Sequence, residues 1–555
     1  MAADLERGHR VRRDRLRAAS GLAALAAIPV AALLVFFAWP VVGMVSRGFS
    51  HGVPGLGEVF GRPAVLRALW FTIWSSTAAT AFTVVLGLPV SFVLYRLRFP
   101  GRALLRAFVV MPFVLPTVVV GVAFRTLLIP TGPLGFLGLD GTPAAIIAAM
   151  IFFNLSVLVR TVGGMWEGLD RRREEAAAAL GATPAQVFRT VTLPALAPAI
   201  VSAASVVFLF CATSFGLVLT LGGLHYTTVE TQIYLLTTQF LDLRGAAVLS
   251  ILQLAVVSSL LYAAHRARTS RERSLERRET RARRPRGTDA GALAATALVL
   301  AFVAAPLVAL AVSSLRVDGG WGLGHYRALT GVGSNKALLV PVTTAVSNSW
   351  RIAVDATLLA MVLGLLVSLL LTRDPRGRPE QRALAVLDGA FMLPLGVSAV
   401  TVGFGFLITL NRPPVDLRGS ALLVPIAQAM VALPLVVRTV APVLASVDPR
   451  QRQAAASLGA APWRAFATVD LPVVWRPLLA ATGFAFAVSI GEFGATSFLV
   501  RPDRPTLPVV IYTLLSRPGA EDFGMAMAAS VVLAVLTASV MGLVERLRVG
   551  NVGAF

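Results

Sequence analysis

The chain has 555 residues, of which 56% are hydrophobic and only 14% are charged, with a net charge of +22 and a single cysteine. Soluble globular domains carry about 25% charged residues, so this composition excludes a soluble protein. The apolar stretches are continuous runs of about 20 residues, the length that spans a bilayer as a helix. We therefore expect an all-α polytopic membrane protein. The lone Cys211 excludes a disulfide within the chain and a metal site built from cysteines.

The positive charge does not indicate a nucleic-acid partner. The arginines form short tracts between apolar runs, where the positive-inside rule places them. The first tract precedes an apolar run at 21–45. That run is longer than the 7–15 residues of a signal-peptide core, so we interpret it as an uncleaved first membrane helix.

Twelve membrane spans are predicted, six in each half of the chain. They are 21–45, 68–95, 107–129, 143–164, 200–222, 245–264, 291–313, 347–372, 384–410, 421–440, 477–499 and 522–544. The excess of arginine on alternate loops predicts that both termini lie in the cytoplasm, in a multi-pass protein of the cell membrane.

The predicted domains follow from these spans and from the charge. They are a basic cytoplasmic N-terminus (1–20), a first six-helix half (21–264), a linker (265–290), a second six-helix half (291–544) and a cytoplasmic tail (545–555). The linker holds ten arginines between His265 and Gly287. We interpret it as a solvated cytoplasmic tether within reach of anionic lipid headgroups.

The two halves repeat each other at a constant offset of 278 residues. Identical residues at this offset include Pro116 and Pro394, Arg160 and Arg438, Pro184 and Pro462, Phe215 and Phe493, and Tyr234 and Tyr512. A register held over this distance indicates an internal duplication. Because each half has six predicted spans, the repeat should be parallel, with its pseudo-twofold axis along the membrane normal.

The most informative repeated stretch is a short Ala-rich island between apolar runs. Its second copy begins with Asp448 and Pro449, which predict a helix N-cap and first turn, and reaches Gly459, a residue suited to a helix C-cap. Asp170 and Gly181 play the same parts in the first copy. An ordinary helical hairpin between spans remains an alternative, but two copies on one side favour a paired docking device.

These residues resemble the Glu-Ala-Ala signature of ATP-binding-cassette importer permeases. The first copy fits with Glu175, Ala176, Ala177, Gly181, Val191, Leu193 and Pro194, and the second with Ala454, Ala455, Gly459, Leu471 and Pro472. Gln453 replaces the glutamate in the second copy. A fused two-copy chain, with the local sequences at 208–223 and 489–494, is similar to the permeases of ferric-iron and thiamine importers.

The resemblance implies a fold and a set of partners. The fold would be that of a type I (MetI-like) permease, and the segments around Gly181 and Gly459 would be coupling helices seated in a cytoplasmic ATPase. The chain has no P-loop, since its only lysine, Lys336, lies outside any Gly-rich loop. ATP and magnesium would bind to a separate ATPase, expected as two copies of one subunit, and no cofactor is expected in this chain. An extracytoplasmic binding protein would deliver the solute.

Ionisable residues within spans are costly and mark a pathway or a packed polar pair. Those that stand out are Arg125, Asp355, Asp388 and Glu492. Glu492 with Phe493, and the equivalent Ser214 with Phe215, are candidates for the translocation path. The carboxylate would suit a cation such as thiamine or ferric iron. A polar residue bonded to a neighbouring helix is the alternative interpretation of Glu492.

No metal or catalytic site is predicted, because the histidines are not closely spaced and no nucleophile, base and acid share a segment. The alternative function is a secondary transporter of twelve spans driven by an ion gradient. Span count and duplication suit both functions. The paired hairpins favour the importer permease, because an ion-driven carrier has no ATPase to dock.

Overall fold

A computed structural model describes residues 26–50, 52–223, 225–269, 282–317, 319–373, 377–393, 397–412 and 415–547. About four-fifths of them are helical. Strands occur in these residues only as two short antiparallel pairs, β1 (Arg316–Val317) with β2 (Gly320–Trp321) and β3 (Asn411–Arg412) with β4 (Val415–Asp416). The expectation of an all-α polytopic protein is confirmed.

In chain order, the helices before residue 270 are α1 (Ala26–Gly48), α2 (Gly52–Phe60), α3 (Pro63–Arg96), α4 (Arg102–Val114), α5 (Thr117–Leu128), α6 (Pro143–Glu167), α7 (Arg171–Ala179), α8 (Pro184–Val187), α9 (Leu193–Ala212), α10 (Gly216–Gly222), α11 (Val229–Thr238) and α12 (Leu243–Thr269). Those after residue 282 are α13 (Ala290–Ser314), α14 (Gly324–Ala328), α15 (Val342–Leu371), α16 (Arg378–Met392), α17 (Ala399–Thr409), α18 (Leu423–Ala445), α19 (Pro449–Ser457), α20 (Pro462–Ala465), α21 (Leu471–Ile490), α22 (Thr496–Leu499), α23 (Leu507–Leu515) and α24 (Ala520–Leu547).

The described residues contain slightly fewer spanning helices than the twelve spans predicted. Within the described residues, ten helices are long and apolar enough to cross a membrane, and a bent pair brings the number to at most eleven. The bent pair is α4 with α5, whose axes differ by 104°. The single span predicted at 107–129 is therefore two helices.

Proline causes this bend. Leu115 has an extended backbone, with φ −71° and ψ 139°, because the ring of Pro116 disfavours a helical conformation in the residue before it. The span predicted at 384–410 is divided in the same way into α16 and α17. Pro394, the equivalent of Pro116, falls outside the described residues.

The predicted spans 200–222 and 477–499 are displaced along the chain. Continuous apolar helices cover Pro184–Ala212 and Trp463–Ile490 instead. A π-helical turn joins α8 to α9, and within it the Leu193 N–H donates to the carbonyl of Phe188, five residues earlier. The wider turn accommodates Pro194, which has no N–H to give to an α-helical bond. Leu193 and Pro194 therefore lie within a continuous helix.

One compact unit consists of the described parts of 1–46, 350–490 and 540–552. Its core is the contact of α18 with α21, which pack through small side chains such as Ala432, Ala481 and Ala485. Small residues let helix backbones approach closely where lipid offers no hydrophobic drive to association. Helix α1 belongs to this unit, where Phe36 lies 6.1 Å from Phe406, centroid to centroid.

The other unit consists of the described parts of 47–349 and 491–539. Helices α3 and α6 form its largest contact. Helix α13 also packs into this core, with Phe302 edge-on to Phe124 and Phe152 at centroid distances of 6.1 and 6.5 Å. The domain boundaries expected from the sequence stay a prediction, since these units follow spatial contact and not chain order.

Candidate functional site

The first hairpin (170–194) begins with α7, a helix that has a cap at each end. Asp170 accepts a hydrogen bond from the Arg172 N–H at 3.0 Å and so caps the start of α7. At the other end the N–H groups of Gly181 and Ala182 donate to the carbonyls of Ala178 and Ala177, at 3.0 and 3.2 Å. This pair of bonds is the Schellman motif, which needs a left-handed residue, and Gly181 has a φ of 87°.

The second hairpin (448–472) repeats this geometry at the 278 offset. Asp448 accepts from the Arg450 N–H at 2.9 Å. The N–H groups of Gly459 and Ala460 each donate at 3.0 Å to carbonyls at the end of α19, and Gly459 has a φ of 81°. The caps expected from the sequence at Asp170, Asp448, Gly181 and Gly459 are confirmed.

Both hairpins are exposed. Neither α7 nor α19 contains a buried residue. The leucines at the two turns, Leu180 and Leu458, are each 89% exposed. Of the signature positions, Glu175, Ala176, Gln453 and Ala454 are exposed, and Ala177 and Ala455 are half-buried. Each hairpin thus has an exposed helix rich in alanine and an exposed leucine at its turn.

The replacement of Glu175 by Gln453 changes a local ion pair. Glu175 lies 3.7 Å from the guanidinium of Arg171, one helical turn earlier. The equivalent residues in the second hairpin are Gln453 and Pro449. Neither is charged, so the two faces offered by the hairpins differ in charge while their backbones match.

A second difference lies in how each hairpin is braced. In the first, the buried guanidinium of Arg96, at the end of α3, bonds the carboxylate of Glu174 and the carbonyl of Leu169, the latter at 3.0 Å. The other carboxylate oxygen of Glu174 accepts from the hydroxyl of Thr192 at 2.9 Å. The brace of the first hairpin therefore comes from a membrane-spanning helix.

In the second hairpin an arginine takes the place of the carboxylate that holds the first hairpin. Arg452 stands at the position equivalent to Glu174, and Asp470 at the position equivalent to Thr192. Arg452 Nε lies 2.8 Å from Asp470 Oδ1, and its NH2 group donates to the carbonyl of Leu444 at 3.1 Å. Both members of this ion pair belong to the hairpin itself.

The candidate path residues lie in breaks between helices. Ser214 and Phe215 separate α9 from α10, and Glu492 and Phe493 separate α21 from α22. The carboxylate of Glu492 is 7% exposed and accepts from the N–H groups of Ala495 and Thr496, at 2.7 and 3.0 Å, and from the Thr496 hydroxyl. It caps the turn that follows it, and its role in the path stays a prediction.

The two phenylalanines meet at a stack. The rings of Phe215 and Phe493 have centroids 5.2 Å apart and planes inclined by 21°. Tyr234 lies 5.3 Å from Phe215, and Tyr512 lies 5.5 Å from Phe493. These four residues, the aromatic set, form two pairs at the 278 offset, so each half contributes one phenylalanine and one tyrosine.

Glycine makes room for the stack. A Cβ at Gly216 would lie 2.5 Å from the hydroxyl of Thr117 and 3.0 Å from the ring of Phe493. Both distances are below normal contact, so a larger residue would displace the ring or the start of α5.

Sequence reasoning missed two features of this region. Glu230 is fully buried and accepts from the side-chain amide of Gln253 at 3.0 Å. It lies outside the predicted spans, so a search for charges inside spans does not reach it. The tyrosines of the aromatic set stand in the sequence only as repeat matches, and their identical spacing from the phenylalanines is the signal that could have found them.

Comparison with known proteins places the chain in a family. Residues 83–273, which include the first hairpin and the first break, match the family described as binding-protein-dependent transport system inner membrane component. The putative 2-aminoethylphosphonate transport system permease protein PhnV of Salmonella typhimurium is 30% identical over 47% of this chain and 96% of its own length. The chain belongs to this family of importer permeases.

Longer relatives match both halves of this importer permease. The thiamine transport system permease protein ThiP of Brucella abortus (strain 2308) is 27% identical over 88% of this chain and 89% of its own length. The protein of the same name from Escherichia coli (strain K12) is 28% identical over 81% of this chain and 84% of its own length. The recognition of a fused two-copy importer permease is confirmed. Among the described residues no group of His, Cys, Asp or Glu could hold a metal ion, and the expectation of no metal site stays a prediction.

Proposed function

We propose that this permease imports thiamine or a closely related cation across the cell membrane, by alternating access driven by a separate ATPase. A binding protein outside the cell delivers the solute. Both termini and both hairpins face the cytoplasm. The observation that carries the proposal is the pair of exposed hairpins with identical caps, in a chain that has no P-loop of its own.

The hairpins suit two copies of one ATPase subunit. Their capped backbones are equivalent, so each offers a helix of the same geometry and an exposed leucine to an identical cleft. The leucine can enter a pocket, while the small residues beside it permit close approach of the partner. Family membership favours this importer over the ion-driven carrier.

The aromatic set supports a cationic solute that carries aromatic rings. Phenylalanine and tyrosine faces attract cations and stack with flat rings, in contacts worth about 0.5–2 kcal/mol each. Thiamine has two aromatic rings and a positive charge, whereas ferric iron would need oxygen ligands. The carboxylate of Glu492 already accepts bonds from its own turn. The long relatives bear the name of thiamine permeases, which agrees with this choice.

Uptake of labelled thiamine tests the substrate. Cells lacking the gene for this chain should regain ATP-dependent uptake when it is restored, and excess unlabelled thiamine should compete. Excess 2-aminoethylphosphonate or ferric citrate should not compete. Uptake that either of these abolishes, with thiamine ineffective, would overturn the thiamine assignment.

A further inference from the structure

The segment just before α13 is bonded to the first half by its backbone. We call residues 282–288 the strap. The Arg98 N–H donates to the carbonyl of Arg283 at 2.7 Å, and the Arg283 N–H donates to the carbonyl of Arg96 at 3.1 Å. These two bonds form a parallel bridge around Leu97, which is fully buried. The end of the inter-half linker is therefore fixed to the end of α3.

The strap is also fixed to the start of the second half. The guanidinium of Arg283 donates two bonds of 2.6 Å to the two carboxylate oxygens of Asp289. Asp289 is 5% exposed and also accepts from the Arg286 N–H at 2.8 Å. Paired charge-assisted bonds of this kind hold both position and angle. The bond to Asp289 raises the pKa of Arg283, so the pair stays charged at physiological pH.

Arg96 connects the strap to the first hairpin. Its backbone carbonyl accepts the hydrogen bond from the Arg283 N–H of the strap, and its guanidinium donates to Glu174 of the hairpin. Because the guanidinium is buried and also bonds the carbonyl of Leu169, it has little freedom to move independently of its backbone. A shift of the strap would therefore move the brace on which the hairpin rests.

The second hairpin is braced differently. Arg452 and Asp470 both lie within it, and the further bond of Arg452 goes to Leu444 at the end of the preceding span. Among the described residues this brace is local to the hairpin and its own span, whereas the first brace reaches the strap through Arg96. The two hairpins share a backbone geometry but differ in what holds them.

We propose that the strap positions the first hairpin through Arg96, so that the inter-half linker biases one of the two ATPase docking sites and not the other. This inference rests on the proposed coupling role of the hairpins. Arg96 is then a positioning residue, and a displacement of the strap changes the first docking site.

Spin labels on the equivalent turn leucines test the proposal. Leu180→Cys and Leu458→Cys place a label on each hairpin, and the native Cys211 is buried. Asp289→Asn releases the strap, Glu174→Gln releases the first brace, and Asp470→Asn is the matched control in the second brace. In the purified full chain, Asp289→Asn and Glu174→Gln should each shorten the rotational correlation time of the label at 180 by about twofold or more, and leave 458 unchanged. Asp470→Asn should shorten the rotational correlation time of the label at 458 and leave the label at 180 unchanged.

Two results would overturn the strap's role. One is a label at 180 that responds to Glu174→Gln but not to Asp289→Asn. The other is an Asp289→Asn variant that loosens both labels equally. Because Asp289 is buried, Arg283→Lys serves as a second variant, since it keeps the charge but loses the paired bonds. An unchanged label at 180 in a folded Arg283→Lys chain would also contradict the proposal.

A transport measurement separates this inference from the function beneath it. In the complex with its ATPase, Asp289→Asn should lower solute moved per ATP as Glu174→Gln does. If disrupting both hairpin turns leaves coupling intact while the label at 180 still responds to the strap, the docking function fails and the strap stands. If coupling depends on the turns but the label at 180 does not respond to the strap variants, the docking function stands and the role of the strap fails.

Discussion

Gly181 and Gly459 hold the turns of the two hairpins in the left-handed region. A Cβ at either position would meet no other atom within 4 Å, so space does not require glycine there. The backbone does, because a left-handed conformation costs an ordinary L-residue about 1–2 kcal/mol. Asparagine adopts that conformation more readily than a β-branched residue does.

Substitutions at these turns should therefore separate by backbone preference. Gly181→Asn should keep ATP-driven uptake within about twofold of wild type, whereas Gly181→Val should lose most of it by unwinding the Schellman motif. The Gly459 variants are the matched set in the second hairpin. Uptake in proteoliposomes measures the effect. Equal activity of the asparagine and valine variants would show that turn conformation does not matter.

Glu492 is the residue whose role the structure most sharpens. Its carboxylate accepts three bonds from the turn 495–496. A glutamine offers one oxygen in place of two, so Glu492→Gln should leave a buried donor unsatisfied and cost about 1–3 kcal/mol of stability. Thermal unfolding in detergent measures this, with the exposed Glu521→Gln as control. A variant of normal stability that has lost uptake would instead assign Glu492 to the path.

The aromatic set ties two helix breaks together at the element scale. Phe215→Ala and Phe493→Ala should each lower the free energy of unfolding, and the double variant should cost less than the sum, because one stack is lost in all three. The expected coupling is about 0.5–1.5 kcal/mol. Thermal unfolding in detergent measures each loss. Phe136→Ala, at an exposed ring, is the control. Strictly additive losses would contradict a stack that couples the two helix breaks.

Elements whose signals are local could be predicted from the sequence. Asp170, Gly181 and Pro449 determine the hairpin caps through bonds within a few residues, and the structure has those caps where they were expected. Hydropathy alone misplaced the spans. It does not register the extended conformation that Pro116 imposes on Leu115, nor the π turn that carries the helix through Pro194.

Contacts between distant residues were beyond the sequence. Arg96 and Glu174 are 78 positions apart, and Phe215 and Phe493 are separated by the full repeat offset. Their meeting depends on how helices pack, which composition and spacing do not determine. The repeat register did pair the phenylalanines as equivalents, but only the fold brings them into contact.

At the scale of the whole molecule, the duplication gives two hairpins of matching backbone and one aromatic set with a contribution from each half. Sequence divergence then makes the copies unequal, through Gln453 for Glu175 and through the reversed brace of Arg452 and Asp470. A fused chain can diverge in this way because its two halves are always paired with each other. Equal subunits of a homodimer could not hold different braces.

The most direct test of the central claim is solute uptake by the chain reconstituted in liposomes with and without its ATPase. The permease with its ATPase and binding protein should take up labelled thiamine only when ATP is supplied, and Gly181→Val with Gly459→Val should abolish that uptake. Uptake by the isolated chain under a proton or sodium gradient, with no ATPase present, would contradict the account.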